Sequence, residues 1–209
     1  MADTPDHLPD DFLQRLRDLE YSYLSQDDPI MQSGYGGGPE RWRNERILIL
    51  DAVDRDGDFL DVGCANGYLL ECLVKWAGEK GITLTPYGVD QGPRLIALAR
   101  KRLPRWAANF WVANSWEWRP PRRFRYVYTH NECVPEALFR DYVCRLLTRY
   151  VEHDGVLIIG AYGSQYRNQP AWDVAANLGQ HGFPVAGAAV CGEFPVTRIA
   201  WIAASPSAK

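Results

Sequence analysis

The sequence predicts an α/β fold: three layers, with a seven-stranded, mostly parallel sheet covered by helices on both faces. Three observations carry this. Residues 57–67, GDFLDVGCANG, run an apolar strand into a glycine-bracketed turn, and YLLECLVKWA (Tyr68–Ala77) continues at helical spacing. Strand and helix patterns then alternate along the chain, which implies parallel strands joined by right-handed crossovers. Finally, GVLIIGAY (Gly155–Tyr162) is almost wholly apolar, as a central strand buried on both faces must be.

The elements follow in order. Residues 9–25 place Phe12, Leu13, Leu16, Leu19, Tyr23 and Leu24 near helical spacing, and Asp10 and Asp11 favour the N-terminal end of that helix. SGYGGG (Ser33–Gly38) breaks the pattern and reads equally as a lid hinge or a plain connecting loop. Helical spacing resumes over Pro39–Arg55, with Pro39 suited to a first turn. The chain thereby divides into an N-terminal helix with a glycine-rich lid loop, 1–39, and a main domain, 40–209. After the first strand and its helix come a strand at Leu84–Asp90, a helix at Arg94–Leu103 and a short strand at Asn109–Asn114. A fourth strand, Phe124–His130, leads through Pro135 into a helix at Glu136–Val151, and the apolar fifth strand follows. A last helix near 171–179 precedes strands near Val185–Cys191 and Thr197–Ala203.

Composition narrows the function classes. At 209 residues and 46% hydrophobic content the chain buries one sizeable core. A net charge of −3 gives no global attraction to nucleic acid or anionic lipid. Five scattered cysteines without a CxxC pair argue against a disulfide framework and a zinc site, so no metal is expected. The acidic N-terminus and the lack of an 18-residue apolar run lead to the expectation of a cytoplasmic protein without a membrane span, monomeric or homodimeric. Nine Arg and Lys side chains between residues 94 and 125 face only Glu117. Their places at the end of the second helix and the start of the fourth strand put them opposite the ligand edge, where they complement helix C-termini. The acidic N-terminal residues, including Asp3, Asp6, Asp10, Asp18 and Glu20, are candidate partners for them. Nucleic acid is therefore not the expected partner.

In an open parallel sheet, ligands bind beyond the carboxyl ends of the strands. A dinucleotide turn wants G-x-G-x-x-G, but counting from Gly63 the second and third glycine positions hold Ala65 and Tyr68, and a P-loop is excluded by the absence of G-K-[ST]. Asp61 stands two residues before Gly63, and Asp90 ends the second strand. These acidic marks suit a ligand with a ribose and a cationic or zwitterionic tail.

Here the chain resembles the class I S-adenosylmethionine-dependent methyltransferases, which are Rossmann-like. LDVGCANG (Leu60–Gly67) resembles the glycine-rich first motif of that family, GVD (Gly88–Asp90) its acidic second-strand end, and VANS (Val112–Ser115) its adenine loop. FRYVYTHNECVP (Phe124–Pro135) and HDGVLIIGAYG (His153–Gly163) match its fourth- and fifth-strand segments. Ala65, Asn114 and Arg125 depart from its frequent residues. The resemblance implies a methyltransferase with S-adenosylmethionine as cofactor. It implies that the backbone of Gly63, Cys64 and Gly67 lies against the methionine part, with Ala65 and Asn66 also binding the cofactor, that Asp61 faces its amino group, and that Asp90 accepts from the ribose hydroxyls with Gln91 beside it. Asn114, Ser115 and Trp116 would meet the adenine, Trp116 by stacking, and Thr129 completes the cofactor set.

Methyl transfer from a sulfonium is an in-line displacement, so alignment matters most and a base is needed only when the acceptor must lose a proton. His130 is the candidate base, set against a plain capping role for its ring. Asn131, Glu132, Tyr35 and Tyr162 are candidate acceptor-binding residues. Trp106, Trp111, Trp116 and Trp118 form a cluster that reads as an aromatic cage or, for Trp111 at least, as core packing. The acceptor expected is a small molecule methylated on oxygen or nitrogen. The alternatives are an RNA or protein methyltransferase on the same fold, a non-catalytic S-adenosylmethionine-binding protein and, last, an NAD-dependent oxidoreductase.

Overall fold

Seven strands form one sheet in the order β3-β2-β1-β4-β5-β7-β6. The computed structural model describes residues 5–192, 194 and 196–204. The strands are β1 (Gly57–Val62), β2 (Leu84–Asp90), β3 (Phe110–Val112), β4 (Phe124–His130), β5 (Val151–Tyr162), β6 (Gly187–Cys191) and β7 (Thr197–Ala203). The first five run parallel, and β7 pairs antiparallel with both β5 and β6. The order reverses between β1 and β4, so the carboxyl ends of these strands diverge there and leave room above the sheet. The fold is the expected α/β arrangement of three layers, mostly parallel.

Helices α1 (Asp10–Leu24), α2 (Gly38–Arg46), α3 (Tyr68–Glu79), α4 (Pro93–Arg102), α5 (Phe139–Arg149) and α6 (Val174–Gln180) cover the sheet. Side chains alternate along each strand and divide the core in two. Val127, Leu157 and Ile159 pack with Phe139, Val143 and Leu146 of α5. Tyr126, Tyr128 and Ile158, one residue out of step, pack on the other face with Leu70, Leu73 and Ile96 of α3 and α4. In β5, Leu157, Ile158 and Ile159 have no exposure at all, so its middle is buried on both faces.

Several boundaries differ from the sequence pattern for local reasons. The helix expected over Pro39–Arg55 ends at Arg46 and continues as a 3₁₀ helix, Ile47–Ala52, whose tighter winding buries Ile49, Leu50 and Ala52. The helix expected at Glu136 opens as a 3₁₀ turn, Glu136–Leu138, before α5. Strand β5 starts four residues early because Val151 pairs with Phe124 ahead of a register shift. The last helix starts at Val174, where the Asp173 carboxylate caps the Ala176 amide at 3.0 Å.

The N-terminal segment is bound across the carboxyl end of the sheet. Leu8 and Phe12 enter the core, the Trp116 indole donates to the Pro5 carbonyl at 3.0 Å, and the Glu20 carboxylate accepts from the Arg94 amide at 3.0 Å. Among the described residues two ion pairs join the N-terminal segment to the 94–125 stretch, Glu20 with Arg94 and, with the charges reversed, His7 with Glu117; Asp3 lies outside them. Within the main domain Arg122 pairs with Asp58 and Arg125 with Asp154. Arg102 corrects the expectation that its neighbourhood faces away from the ligand edge. Its guanidinium donates to the Asn66 carbonyl of the first-strand turn at 3.2 Å and to Glu71 at 2.9 Å.

Gly88 of β2 lies directly under that turn. A Cβ there would stand 2.6 Å from the Cys64 sulfur and 2.7 Å from the Phe110 ring. Gly88→Ala should therefore lower the unfolding free energy by about 1–3 kcal/mol, the usual cost of overpacking, measured by urea denaturation. A change near zero would mean that the turn yields without resistance.

Candidate functional site

A cavity of about 740 Å³ opens above the carboxyl ends of β1, β2, β4 and β5. Its floor is the turn after β1. Gly63 and Gly67 have φ of +89° and +74°, and Ala65, with a side chain, is held at +45°. The Asp90 carboxylate holds this backbone in place. One oxygen accepts from the Ala65 amide at 2.9 Å and the other from the Gly92 amide at 2.8 Å. Each oxygen keeps acceptor capacity for a ligand.

One half of the cavity is lined by Asp61, Gly63, Cys64, Ala65, Asp90, Gln91, Asn114 and Ser115, as the sequence led one to expect. Asp61 is buried at 2% exposure and accepts no hydrogen bond from any described residue. Burial, followed by repulsion from Asp90, raises its pKa to about 8. Burial also raises Asp90, opposed by its two amide donors. The Gln91 amide nitrogen is buried without a partner among the described residues. A buried donor and a buried carboxylate left unsatisfied mark a place built for something else to complete.

Four of the residues expected to hold the cofactor do not line the cavity. Trp116 is fully buried in the core: the Asn114 side-chain oxygen accepts the Trp116 amide at 2.8 Å, and the resulting turn carries the indole to Pro5, under Arg145. Asn114 thus uses its amide oxygen in this turn, though it lines the cavity. Thr129 is fully buried, its hydroxyl bonded to that of Tyr142 at 2.8 Å. Asn66 is buried below the turn, where its amide nitrogen donates to the Pro29 carbonyl at 3.0 Å, so it joins the N-terminal segment to the motif. Gly67 faces α4, where a Cβ would meet Ala99 at 2.9 Å. Among the described residues Trp111, Trp116 and Trp118 form no aromatic cage. Trp111 stacks between Tyr87 and Trp118, and Trp118 lies edge-on to Tyr150, as core packing.

The other half is lined by Tyr35, His130, Glu132 and Tyr162, also expected, while Asn131 lies outside it. His130 stacks on the Tyr162 ring, 5.0 Å between centroids, and the Tyr162 and Tyr128 hydroxyls are 2.5 Å apart. The His130 Nδ1 accepts the Glu132 amide at 3.2 Å, so its proton sits on Nε2. Burial and the nearby Arg46 charge lower its pKa to about 3. His130 is therefore a neutral hydrogen-bond donor at physiological pH, which corrects the expectation of a base near 6.5. Burial also pushes the neighbouring Cys133 thiol up to about 11.

The sequence reading missed Glu45 and Arg46, which α2 delivers to the cavity wall with only 4% and 6% exposure. A signal was present. Trp42, Arg46 and Ile49 stand at i, i+4 and i+7, so the helical period itself puts a charge on the buried face. Glu45 is saturated: it accepts from Tyr35 at 2.8 Å, Arg41 at 3.0 Å, Arg46 at 3.3 Å and Thr197 at 3.0 Å. Among the described residues no cluster of His, Cys, Asp and Glu side chains is placed to hold a metal ion, and no helix is long and apolar enough to cross a membrane.

Solved structures share this architecture. The fold is that of the Rossmann-like, class I methyltransferases. The Burkholderia thailandensis 1,6-didemethyltoxoflavin-N1-methyltransferase, solved with 1,6-didemethyltoxoflavin and S-adenosylhomocysteine, superposes with a TM-score of 0.65 at 15% identity, over 98% of this chain and 93% of that one. Magnesium protoporphyrin IX methyltransferase from Synechocystis, with bound SAM, gives 0.58 at 16% identity over 98% and 100% of the chains. A chain of the complex between the Haloferax volcanii Trm112 methyltransferase activator and a methyltransferase gives 0.65 at 13% identity over 93% and 99%. No family model matches the sequence, and no curated protein matches it. At these identities the common property is the fold.

The raised Asp61 pKa has a consequence for stability. The folded state keeps a proton that the unfolded chain releases near 3.8, so this group's contribution is complete below about pH 4 and is lost as pH rises through about 8. Urea denaturation between about pH 5 and 9 should show wild-type stability falling relative to Asp61→Asn. Parallel profiles would place Asp61 in contact with solvent.

Proposed function

We propose that this protein is an S-adenosylmethionine-dependent methyltransferase that transfers a methyl group to an oxygen or nitrogen of a small-molecule acceptor. The observation that carries this reading is the division of one cavity at the sheet's switch point. One half offers acceptor capacity, the unpartnered Asp61 and the remaining lone pairs of Asp90, while the adjoining half offers aromatic walls and donors. Solved methyltransferases of the same fold with SAM or S-adenosylhomocysteine bound support the choice of cofactor.

The residues present fit that cofactor. Asp61 suits its ammonium group, and the contact would pull the carboxyl's pKa down from about 8 by supplying the missing positive charge. Asp90, with a free lone pair on each oxygen, suits a vicinal diol. The orphaned Gln91 amide nitrogen suits an acceptor atom of the nucleoside. When bound, the cofactor supplies an electrophilic methyl group on a sulfonium. The chain's own part is to hold the acceptor in line and exclude water, which is where such a reaction gains most of its rate. His130, neutral with Nε2–H, positions the acceptor by donating rather than by taking a proton. The N-terminal helix and the Ser33–Gly38 loop form the lid: Tyr23, Gly34, Tyr35, Gly36 and Gly37 line the cavity.

Calorimetry separates this function from its alternatives. S-adenosylmethionine and S-adenosylhomocysteine should bind and NAD should not; binding of NAD alone would end the methyltransferase reading. Asp90→Ala should weaken S-adenosylhomocysteine at least about tenfold, or about 1.4 kcal/mol. An unchanged affinity would remove Asp90 from the ribose.

A further inference from the structure

Arg46 carries a charge that the folded chain does not fully answer. It is buried at 6% exposure, yet lines the cavity. Only its Nη1 has a partner among the described residues, Glu45 at 3.3 Å, and that carboxylate is shared with Arg41, Tyr35 and Thr197. The Nε and Nη2 donors, which lie side by side on one edge of the guanidinium, donate to no described residue. That edge is the fork that grips a carboxylate through two parallel hydrogen bonds. Leaving such a group buried and half-paired is costly, and an incoming anion removes the cost.

The surroundings fix the orientation of the fork. The guanidinium lies 3.4 Å from the centroid of Tyr162, with Tyr35 at 4.7 Å and Trp42 at 4.9 Å, so its plane is clamped by rings rather than free to turn to solvent. The His130 ring, stacked on Tyr162, adds a neutral donor to the same wall. Counting the buried side chains here, Arg46 is the cation and Glu45 is already divided between two guanidinium groups. Two guanidinium groups, Arg41 and Arg46, thus share the one buried carboxylate of this wall, the largely exposed Glu132 carboxylate also lines this half, and Asp61 and Asp90 supply carboxyl groups to the other.

We infer that the methyl acceptor is a small molecule bearing a carboxylate, and that this carboxylate docks on the Nε and Nη2 edge of Arg46. The inference rests on the methyltransferase reading and narrows its substrate class. The carboxylate is the anchor that presents the nucleophile to the methyl group.

Labelled methyl transfer from S-adenosylmethionine, screened over matched pairs of small carboxylic acids and their primary amides, tests it on the wild-type protein. Acids should be turned over, with their amides at least about tenfold poorer in kcat/KM. Turnover of amides or amines with no preference for the acid would overturn the inference, as would binding of S-adenosylhomocysteine without turnover of any acid. Failure to bind S-adenosylhomocysteine at all would instead sink the methyltransferase reading. For an acid that reacts, Arg46→Gln should raise KM at least about tenfold with S-adenosylhomocysteine affinity within about threefold of wild type, and Arg46→Lys should restore only part of the loss because it lacks the fork. An unchanged KM in Arg46→Gln would also overturn the assignment.

Discussion

The Asp90 carboxylate at the end of β2 is the constraint on which the site depends. Its two oxygens each take one backbone amide, Ala65 from the turn after β1 and Gly92 from the turn after β2. Two loops are thereby held at a fixed spacing above neighbouring parallel strands. The turn after β1 needs this support, because Ala65 sits at φ +45°, where a Cβ is disfavoured. Below it, Gly88 and Gly67 allow Cys64 and Ala99 to approach more closely than any side chain would permit. Asn66 joins the same turn to Pro29, so the N-terminal segment is positioned by the turn that Asp90 orders.

The cavity then divides by hydrogen-bonding capacity. Asp61 has no donor among the described residues and Asp90 keeps a lone pair beside each of its two amide donors, whereas Arg46 faces the same space with its Nε and Nη2 donors unused. An ammonium group at Asp61 and a carboxylate at the Arg46 fork would be complementary to these two ends, the first by displacing the Asp61 proton. His130 fits this arrangement as a neutral donor, since burial, and after it the Arg46 charge, keeps the imidazole unprotonated.

How far the sequence revealed this depended on distance along the chain. The strands declared themselves through apolar runs, and β2, β4 and β7 lie at the boundaries the pattern gives. The acidic half of the cavity was legible because its residues come from loops that each carry a local signature, Asp61–Ala65, Asp90–Gln91 and Asn114–Ser115. Trp116 and Thr129 were misplaced because sequence position does not fix the direction of a side chain. The Asn114 turn rotates Trp116 into the core, and the pleat at Thr129 points its hydroxyl at Tyr142. The basic half was hidden for another reason. Its parts come from α2, β4 and β5, and only the sheet order brings Arg46 against Tyr162.

The central claim is that a buried, protonated Asp61 awaits a cation. Calorimetry of S-adenosylhomocysteine binding at about pH 7, repeated in buffers of different ionisation enthalpy, counts the protons exchanged on binding. The account predicts net proton release that disappears in Asp61→Asn, because the ligand's ammonium group displaces the proton that burial had fixed there. Binding with no proton exchange, or with release undiminished in Asp61→Asn, would contradict it.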